Sequence, residues 1–401
     1  MHKLVQINVA SNRGSTGKIA ENIGITAINA GWESYIVHSA RYQGDTKSND
    51  ILSSNLFAEF FHYLVSFLFD AHGRASYLST LKILKQIKRI NPDIVHLHNI
   101  HGYYLNYGLL FKNLNKLKIP VVWTLHDCWP FTGHCAYFDR VGCDKWESYC
   151  HHCPQSDTYP YSMQDFSKRN YKHKRSVFTK FDNLTIVPVS NWLSNLVEKS
   201  FLSKYPRLVI HNGIDLNVFK PTRSELLSNY RLNNKKVVLG VADGFGTRKG
   251  LSDFIQLSRM LNNNYQIILI GVSESEKSNL PKNIIALSRT SNQQELVKYY
   301  SIADVYVNPT YEDNFPTTNI EALACGTPVI TYNTGGSPEA IDDFTGIVVV
   351  KGDIHALYEA VVGLCERKSS DQALLCRKRA IEYYDMNMRF RDYLELYNSL
   401  L

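Results

Sequence analysis

Two carboxylates, Asp313 and Glu321, stand eight positions apart in the second half of the chain. An apolar strand is predicted to end at Asn308, and a helix to begin near Thr318, so Glu321 falls about one turn inside that helix. Free amides at a helix N-terminus bind anions, and a neighbouring carboxylate can accept hydrogen bonds from a sugar or ribose hydroxyl. The alternative is an ordinary loop and helix whose acids complement the helix dipole.

A glycine-rich turn with two cations, Gly244 to Gly250, follows the predicted strand Lys236–Val241. Arg248 and Lys249 can donate hydrogen bonds to phosphate oxygens, and glycines let the backbone come close to a ligand. This turn therefore suits a diphosphate, although many turns between a strand and a helix have a similar composition.

Polar residues also follow predicted strands in the first half of the chain. Gly14 to Gly17 is a small-residue turn after the first strand, and His126 and Asp127 follow a strand over Ile119–Leu125. After the strand Ile94–His98 comes a segment rich in His, Tyr and Asn, whose members of interest are His98, Asn99, Tyr103 and Tyr104. A wall that binds a polar acceptor is preferred here over a metal site, because no acidic ligand is near. Histidines that merely cap strand ends are the alternative.

Four cysteines are spaced as Cys135-x7-Cys143-x6-Cys150-x2-Cys153, with histidines beside them. Thiolates at such spacing, ending in a Cys-x2-Cys pair, are compatible with a structural zinc ion. Buried free thiols and disulfides are the alternatives.

Strands and helices alternate along the whole chain, which indicates parallel sheets and an α/β fold. The pattern restarts after a loop near Asn212–Lys220. We therefore expect two Rossmann-like, doubly wound domains, over residues 1–205 and 206–380, with a C-terminal helix over about 380–401 that packs back on the first. Ligands of such sheets bind beyond the carboxyl ends of the strands, so the two domains are expected to face each other across a cleft.

The stretch from Tyr311 to Ile330, with Asp313, Glu321 and the run Glu-Ala-Leu-Ala-Cys-Gly-Thr-Pro-Val-Ile, resembles the acid-x7-acid motif of glycosyltransferase family 4. These are retaining enzymes of the GT-B fold. The resemblance extends to the Gly244–Gly250 turn and to the Asn-Gly-Ile-Asp segment that begins at Asn212. It implies that Glu321 binds the nucleotide ribose, that Asp313 contacts the donor sugar, and that His126 is the active-site histidine.

The resemblance also assigns larger sets of residues. Catalytic roles fall to His126, Asp313 and Glu321. Donor binding is expected of Gly14, Ser15, Thr16, Gly17, Arg248, Lys249, Arg289, Glu312, Asn314, Phe315, Pro316, Thr317 and Glu321. Acceptor binding is expected of His98, Asn99, Tyr103, Tyr104 and Asp127.

Two positions depart from the family pattern. Asp313 stands where the family usually has Glu, so the neighbouring Glu312 could share its role. Gly244 stands where the family has Arg, so Arg248 is the available substitute. No Asp-x-Asp pair occurs in the chain, so no cofactor is expected for catalysis: Lys249, Arg248 and helix amides would neutralise the leaving group in place of a metal ion.

The resulting hypothesis is transfer of a hexose-type sugar, with retained configuration, from a nucleotide sugar to a saccharide or lipid-linked acceptor. A UDP-sugar is the favoured donor and a GDP-sugar the alternative. The subgroup it resembles makes colanic acid, O-antigen and other exopolysaccharides. The rival hypotheses are a nucleotide-sugar epimerase on the same fold and a non-enzymatic zinc or nucleic-acid binding protein; the latter ranks last, because interleaved basic and aromatic RNA motifs are absent, so no nucleic-acid partner is expected.

Composition and charge favour a cytoplasmic protein: hydrophobic residues make up 44% and charged residues 20% of the chain. The formal net charge of +7 arises entirely from the first half. The aromatic segment Leu56–Phe69 is too short to span a bilayer. A buried core helix is the preferred interpretation of it, and peripheral contact with the inner face of the cytoplasmic membrane is the alternative.

Overall fold

A computed structural model describes residues 1–367 and 369–401 of the chain. The described residues form two compact units: Met1–His211 with Asn387–Leu401, and Asn212–Met386. The predicted domain boundary, between residues 205 and 206, lies shortly before the boundary between the two units, which falls between His211 and Asn212. The last 15 residues belong to the first unit.

The first unit is built on a six-stranded parallel sheet in the order β3-β2-β1-β4-β5-β6. Its strands are β1 (Lys3–Ile7), β2 (Glu33–His38), β3 (Asn49–Leu52), β4 (Ile94–Leu97), β5 (Val121–Leu125) and β6 (Leu184–Pro188). Every residue of β4, β5 and β6 is buried, as expected where helices cover both faces of a parallel sheet. The short polar strand β3 has no apolar run and was missed from the sequence.

Helices surround this sheet. They are α1 (Gly14–Asn29), α2 (Leu56–Phe69), α3 (Tyr77–Ile90), α4 (Tyr107–Leu117), α5 (Lys145–Ser148), α6 (Ser167–Phe178), α7 (Asn191–Lys199) and the C-terminal α15 (Met386–Leu400), with a 3-10 turn over Trp129–Phe131. Helix α15 is tied to the sheet, because the hydroxyl of Tyr397 lies 2.6 Å from Nδ1 of His96, and Tyr393 lies 3.2 Å from Thr124.

The second unit repeats the design. Its strands are β7 (Lys236–Val241), β8 (Tyr265–Ile270), β9 (Ile284–Leu287), β10 (Val305–Asn308), β11 (Val329–Tyr332) and β12 (Gly346–Val349). They pair in parallel in the order β12-β11-β10-β7-β8-β9, the same doubly wound order as the first sheet read from its other edge. Its helices are α8 (Leu226–Asn229), α9 (Leu251–Met260), α10 (Glu274–Lys277), α11 (Gln293–Ile302), α12 (Thr317–Ala324), α13 (Ile354–Arg367) and α14 (Ser370–Tyr384), with a 3-10 turn over Ser337–Ala340.

Helix α2 corrects the prediction of a buried core helix. Phe57 is 79% exposed and Phe61 59% exposed, whereas Glu59, His62 and Ser66 are the buried residues of this helix. The prediction was wrong because Glu59 and His62 find hydrogen-bond partners inside the unit, which turns the aromatic side of the helix outward. Over residues 1–367 and 369–401, no helix is both long enough and apolar enough to cross a bilayer.

Candidate active site

The second sheet brings two loops together: the acid loop, residues 309–316, which carries Asp313, and the glycine loop, Gly244 to Gly250. Strands β7 and β10 are neighbours although they are far apart in sequence, and the strand order reverses between them. The loops that leave their carboxyl ends therefore meet at the switch point, where doubly wound sheets bind ligands. The amide of Tyr311 donates to the carbonyl oxygen of Arg248 at 2.9 Å, so a backbone hydrogen bond joins the two loops.

Lys249 and Asp313 form an ion pair between these loops, with side chains only 17% and 14% exposed. Arg248 donates from its guanidinium to the carbonyl oxygen of Glu312 at 3.0 Å. Arg248 thus holds the acid loop against the glycine loop. Lys249 places its ammonium group beside the carboxylate of Asp313.

Helix α12 begins directly after the acid loop, with Pro316 as its N-cap residue and no side-chain cap. Its first amides are therefore available to a ligand. Glu321 lies in its second turn, and the hydroxyl of the buried Tyr300 donates to its carboxylate at 3.0 Å. Tyr300 was not identified from the sequence; it acts through Glu321, by fixing the direction in which that carboxylate points.

Close backbone packing holds the acid loop in place. Gly335 has φ +56°, and a Cβ there would lie 1.8 Å from the carbonyl oxygen of Asp313. Gly250 has φ +70°, and a Cβ there would lie 2.3 Å from the carbonyl oxygen of Pro309. Only glycine fits at either position, so the loop geometry depends on both.

The remaining donor residues of this unit fall into two groups. Asn314, Phe315 and Pro316 are buried, so their side chains present little surface to a ligand. The side chain of Asn212 donates to the carbonyl oxygen of Phe315 at 3.1 Å and orients that peptide. Arg289, by contrast, is exposed just after β9, the strand at the far edge of the sheet.

In the first unit, Gly14 to Gly17 form the first turn of α1 rather than a loop before a later helix. Helix α1 begins at Gly14 with φ +66°, five residues before the predicted start at Ile19. Its N-cap residue, Arg13, makes no side-chain cap, and no acid lies in the first turn. This end of α1 thus presents free amides flanked by small side chains, as an anion site requires.

A chain of histidines lies at the carboxyl ends of β4 and β5. His98 Nδ1 lies 3.2 Å from His126 Nε2, and His98 Nε2 lies 3.1 Å from the side-chain oxygen of Gln6. Burial lowers the pKa of His126 to about 4 and holds the pKa of His98 well below its ordinary value. Both rings are therefore neutral near pH 7, and His126 can exchange hydrogen bonds with a hydroxyl group without carrying charge.

Asp127 pairs with His101, which was not predicted as a site residue from the sequence. His101 Nε2 lies 2.8 Å from the Asp127 carboxylate, and His101 Nδ1 lies 2.8 Å from the hydroxyl of Tyr159. Burial raises the pKa of Asp127, but the charge and hydrogen bond of His101 and the Trp129 amide outweigh it, so this pKa lies below its ordinary value. Asp127 is therefore ionised and already paired.

The other predicted acceptor residues differ in accessibility. Asn99 is half-buried and its amide donates to the side chain of Asn8 at 3.2 Å. Tyr103 is 9% exposed, whereas Tyr104 is fully buried and its hydroxyl donates to the carbonyl oxygen of Asn99 at 2.8 Å. Tyr104 therefore supports the backbone at Asn99 from the core, and its side chain has no surface of its own.

Comparison with known proteins agrees with this geometry over both units. The model of Glycosyltransferase Family 4 matches residues 26–218, and the model of Glycosyl transferases group 1 matches residues 222–381. The chain belongs to glycosyltransferase family 4. The two matched ranges meet close to the boundary between the structural units.

Individual members and neighbours support the same placement. WcaC of Escherichia coli (strain K12), assigned to colanic acid biosynthesis as a glycosyl transferase, is 26% identical over 67% of this chain and 66% of WcaC. The chain thus spans just under two thirds of that relative. Sucrose-phosphate synthase from Thermosynechococcus elongatus has a TM-score of 0.73 at 16% identity, covering 100% of this chain and 99% of that one. HepE of Anabaena, crystallised with UDP, has a TM-score of 0.70 at 14% identity and full coverage of both chains. These neighbours establish the GT-B fold.

Against the family pattern, the structure shows what stands at the two departures. Asp313, in the place of the usual Glu, pairs with Lys249. Gly244 is exposed with φ +84°, and Arg248, the proposed substitute for the family's arginine, contacts the acid loop.

The four cysteines lie around one small cavity of about 20 Å³, together with His134 and other residues. All four are free thiols, and the amide of Gly133 donates to the sulfur of Cys150 at 3.2 Å. Nδ1 of His134 lies 2.6 Å from the Asp70 carboxylate, while its buried Nε2 has no hydrogen-bond partner in the described residues. Among residues 1–367 and 369–401, no three His, Cys, Asp or Glu side chains are arranged to hold a metal ion. The expectation of zinc therefore stays a prediction.

Proposed function

We propose that this chain transfers a hexose-type sugar from a nucleotide sugar, with a UDP-sugar favoured, to a saccharide or lipid-linked acceptor in the assembly of a surface polysaccharide. The observation that carries the proposal is the convergence of Lys249, Arg248, Asp313 and the start of α12 at one switch point. Family membership supports the reaction class, and UDP bound to HepE supports the choice of nucleotide.

In this proposal the leaving nucleoside diphosphate is stabilised without a metal ion. Lys249 donates to the diphosphate, and the backbone N–H groups of Phe315 and Thr317, on either side of Pro316, take up developing negative charge at the start of α12. Glu321, oriented by Tyr300, accepts hydrogen bonds from the ribose hydroxyls. The first amides of α1, those of Gly14, Ser15 and Thr16, form a further place where phosphate oxygens can be bound.

The sugar itself is oriented by hydrogen bonds. Asp313 accepts from sugar hydroxyls, and neutral His126 exchanges a hydrogen bond with a hydroxyl without protonating it. The acceptor hydroxyl attacks the anomeric carbon from the face that the diphosphate leaves, and a leaving phosphate oxygen takes the proton. The configuration is then retained. Asn99 and Tyr103 are the candidate acceptor contacts, because each has exposed surface.

A thermal-shift screen against UDP-, GDP- and dTDP-sugars tests the donor class, since a ligand that binds only the folded chain raises its apparent stability. We expect the UDP-sugars to give the largest shift and Glu321→Ala to remove it. The control is Glu295→Ala, which changes another carboxylate of the same unit, in the first turn of α11. An equal shift in the Glu321→Ala variant would contradict the assignment.

Incubation with the best donor and a saccharide acceptor, followed by nuclear magnetic resonance of the anomeric proton, tests the reaction. Transfer with the donor's anomeric configuration is expected. Incubation without acceptor provides the counter-test: conversion of the donor into an epimer would replace the transferase proposal with an epimerase.

A further inference from the structure

Helix α2 is oriented with its polar residues toward the protein and its aromatic residues toward solvent. Glu59 and His62 have no exposed surface, and Ser66 is 1% exposed. The exposed side chains recur at helical spacing and form one stripe: Leu56, Phe57, Phe60, Phe61, Leu68 and Phe69. A helix that packed by the hydrophobic effect alone would turn the other way, so this arrangement needs an explanation.

Specific hydrogen bonds fix the orientation of α2 at its N-terminal half. The Glu59 carboxylate accepts from the amide of Ala40 at 2.7 Å and from the hydroxyl of Ser54 at 2.6 Å, and Arg41 lies 3.6 Å away. A half-turn rotation of the helix would break these hydrogen bonds and take the acceptor away from the buried hydroxyl of Ser54. The aromatic stripe is therefore held outward by the polar core beneath it.

His62 fixes the middle of α2 and joins it to α3. Its Nε2 accepts from the amide of Gly73 at 3.1 Å, and its Nδ1 lies 2.8 Å from the hydroxyl of Ser76, which precedes α3. The first residues of α3 are exposed as well: Tyr77 is 58% and Leu78 80% exposed. The apolar surface thus continues from α2 onto the start of α3.

Positive charge borders this surface. Helices α3 and α6 carry exposed cations and no acid; these are Lys82, Lys85, Lys88, Arg89, Lys168, Arg169, Lys172 and Arg175. Arg169 donates to the carbonyl oxygen of Phe69 at 2.7 Å, which attaches α6 to the end of α2. The one carboxylate of α2, Glu59, is buried.

A basic groove lies next to the apolar surface and shares Tyr77 with it. The groove has a volume of about 730 Å³, and its cations are Arg74, Lys112, Lys116 and Lys180. No Asp or Glu occurs among its described lining residues. An anion of the size of a lipid headgroup would meet these cations there and no carboxylate among the described lining residues.

We propose that the aromatic stripe of α2, the start of α3 and this groove together dock the chain on an anionic lipid bilayer. Aromatic side chains enter the boundary between headgroups and acyl chains, and the lysines contact lipid phosphates. A partner for this surface must present an apolar region next to negative charge. An anionic bilayer does so with its acyl chains and its headgroup phosphates. This docking requires neither the donor nor the transfer reaction, so a test of membrane binding does not depend on whether the proposed function is correct.

Cosedimentation of the full chain with vesicles tests the docking. Vesicles of phosphatidylcholine alone are compared with vesicles of phosphatidylcholine and phosphatidylglycerol in equal parts. We expect binding to the anionic vesicles only, weakened by added salt. Replacing Phe57 and Phe61 together by Ser is expected to lower the lipid partition coefficient roughly tenfold, because the favourable free energy of moving the two rings from water into the bilayer is lost.

Matched variants separate this surface from general stickiness. Phe344→Ser removes a ring that is 69% exposed in the second unit and should leave binding unchanged. Lys112→Gln with Lys116→Gln should weaken binding roughly tenfold. The control pair, Lys282→Gln with Lys378→Gln, removes two exposed lysines of the second unit and should have little effect.

Three outcomes would overturn the proposal. The first is no binding of the unchanged chain to anionic vesicles, and the second is equal binding of the Phe57/Phe61 variant and the Phe344 variant. The third is a dimer of the unchanged chain in light scattering that persists when vesicles are added and is absent from the Phe57/Phe61 variant. The surface would then join two copies of this chain. Circular dichroism of each variant shows whether it is folded; since both phenylalanines are exposed, we expect unchanged spectra.

Discussion

Replacing Lys249 by Met is expected to weaken UDP binding by roughly thirtyfold. Lys249 pairs with Asp313, and both side chains are mostly buried, at 17% and 14% exposed. A charge-assisted hydrogen bond to phosphate contributes about 2 kcal/mol in such a setting, and 1.4 kcal/mol corresponds to a tenfold change in affinity. The variant also leaves Asp313 unpaired beside the diphosphate, which adds repulsion between like charges.

A double variant separates these two effects. If Asp313→Asn is added to Lys249→Met, the unpaired carboxylate disappears, and part of the lost UDP affinity and of the lost stability should return. The dissociation constant of UDP is measured by calorimetry, and the free energy of unfolding by chemical denaturation, for the unchanged chain, both single variants and the double variant. The non-additive part of the four free energies reports the pair itself.

Lys236→Met is the matched control for this experiment. Lys236 also lies near an aspartate, 3.8 Å from Asp304, but at the start of β7 rather than at its carboxyl end. UDP affinity should not change in this variant. If Lys249→Met bound UDP within twofold of the unchanged chain, the assignment of Lys249 to the diphosphate would be refuted.

Three further predictions concern the acid loop, the histidines and the cysteines. Gly335→Ala should lower the free energy of unfolding by about 2 kcal/mol or more and abolish UDP binding, because the added Cβ would collide with the carbonyl oxygen of Asp313. The control is Gly31→Ala, also at positive φ but with open space around it, which should lower the free energy of unfolding by only about 1 kcal/mol. Chemical denaturation measures both values. The pKa of His126 falls from 6.5 to about 4 on folding, so its contribution to stability is complete above pH 6.5 and is lost as the pH drops toward 4. Denaturant titrations across that range give the free energy of unfolding at each pH. His126→Asn should reduce the change in this free energy between pH 4 and pH 6.5 by about 3 kcal/mol at most, and an unchanged pH dependence would count against the burial of a neutral ring. Elemental analysis of the purified chain is expected to find one zinc per chain and Cys150→Ser to lower both zinc content and thermal stability; a stable chain without zinc would make the cysteine cavity one of free thiols.

The fold could be predicted, and the candidate site residues could be proposed, because both depend on local patterns. Apolar runs and their spacing indicated the strands that carry the site, and the fold class is confirmed by the two parallel sheets. Asp313, Glu321 and Lys249 could be singled out because the segments around them resemble motifs of glycosyltransferase family 4. Strands β3 and β12 were not predicted; in β3 the polar residues Asn49 and Asp50 break the apolar pattern.

The tertiary structure decided which of these residues meet. Lys249 and Asp313 are far apart in sequence and become partners only because β7 and β10 are neighbours in the sheet. Tyr300 and His101 could not be found from the sequence, since their roles consist of single hydrogen bonds to Glu321 and Asp127.

Helix α2 shows the division most plainly. Its composition determined that Leu56–Phe69 would be an apolar helix, and that much follows from the sequence by itself. Which side of the helix faces the protein was decided by Ala40, Ser54 and Gly73, whose backbone and hydroxyl groups bind Glu59 and His62. Burial of a carboxylate or an imidazole is unfavourable until its partners are in place, and only the folded chain supplies those partners.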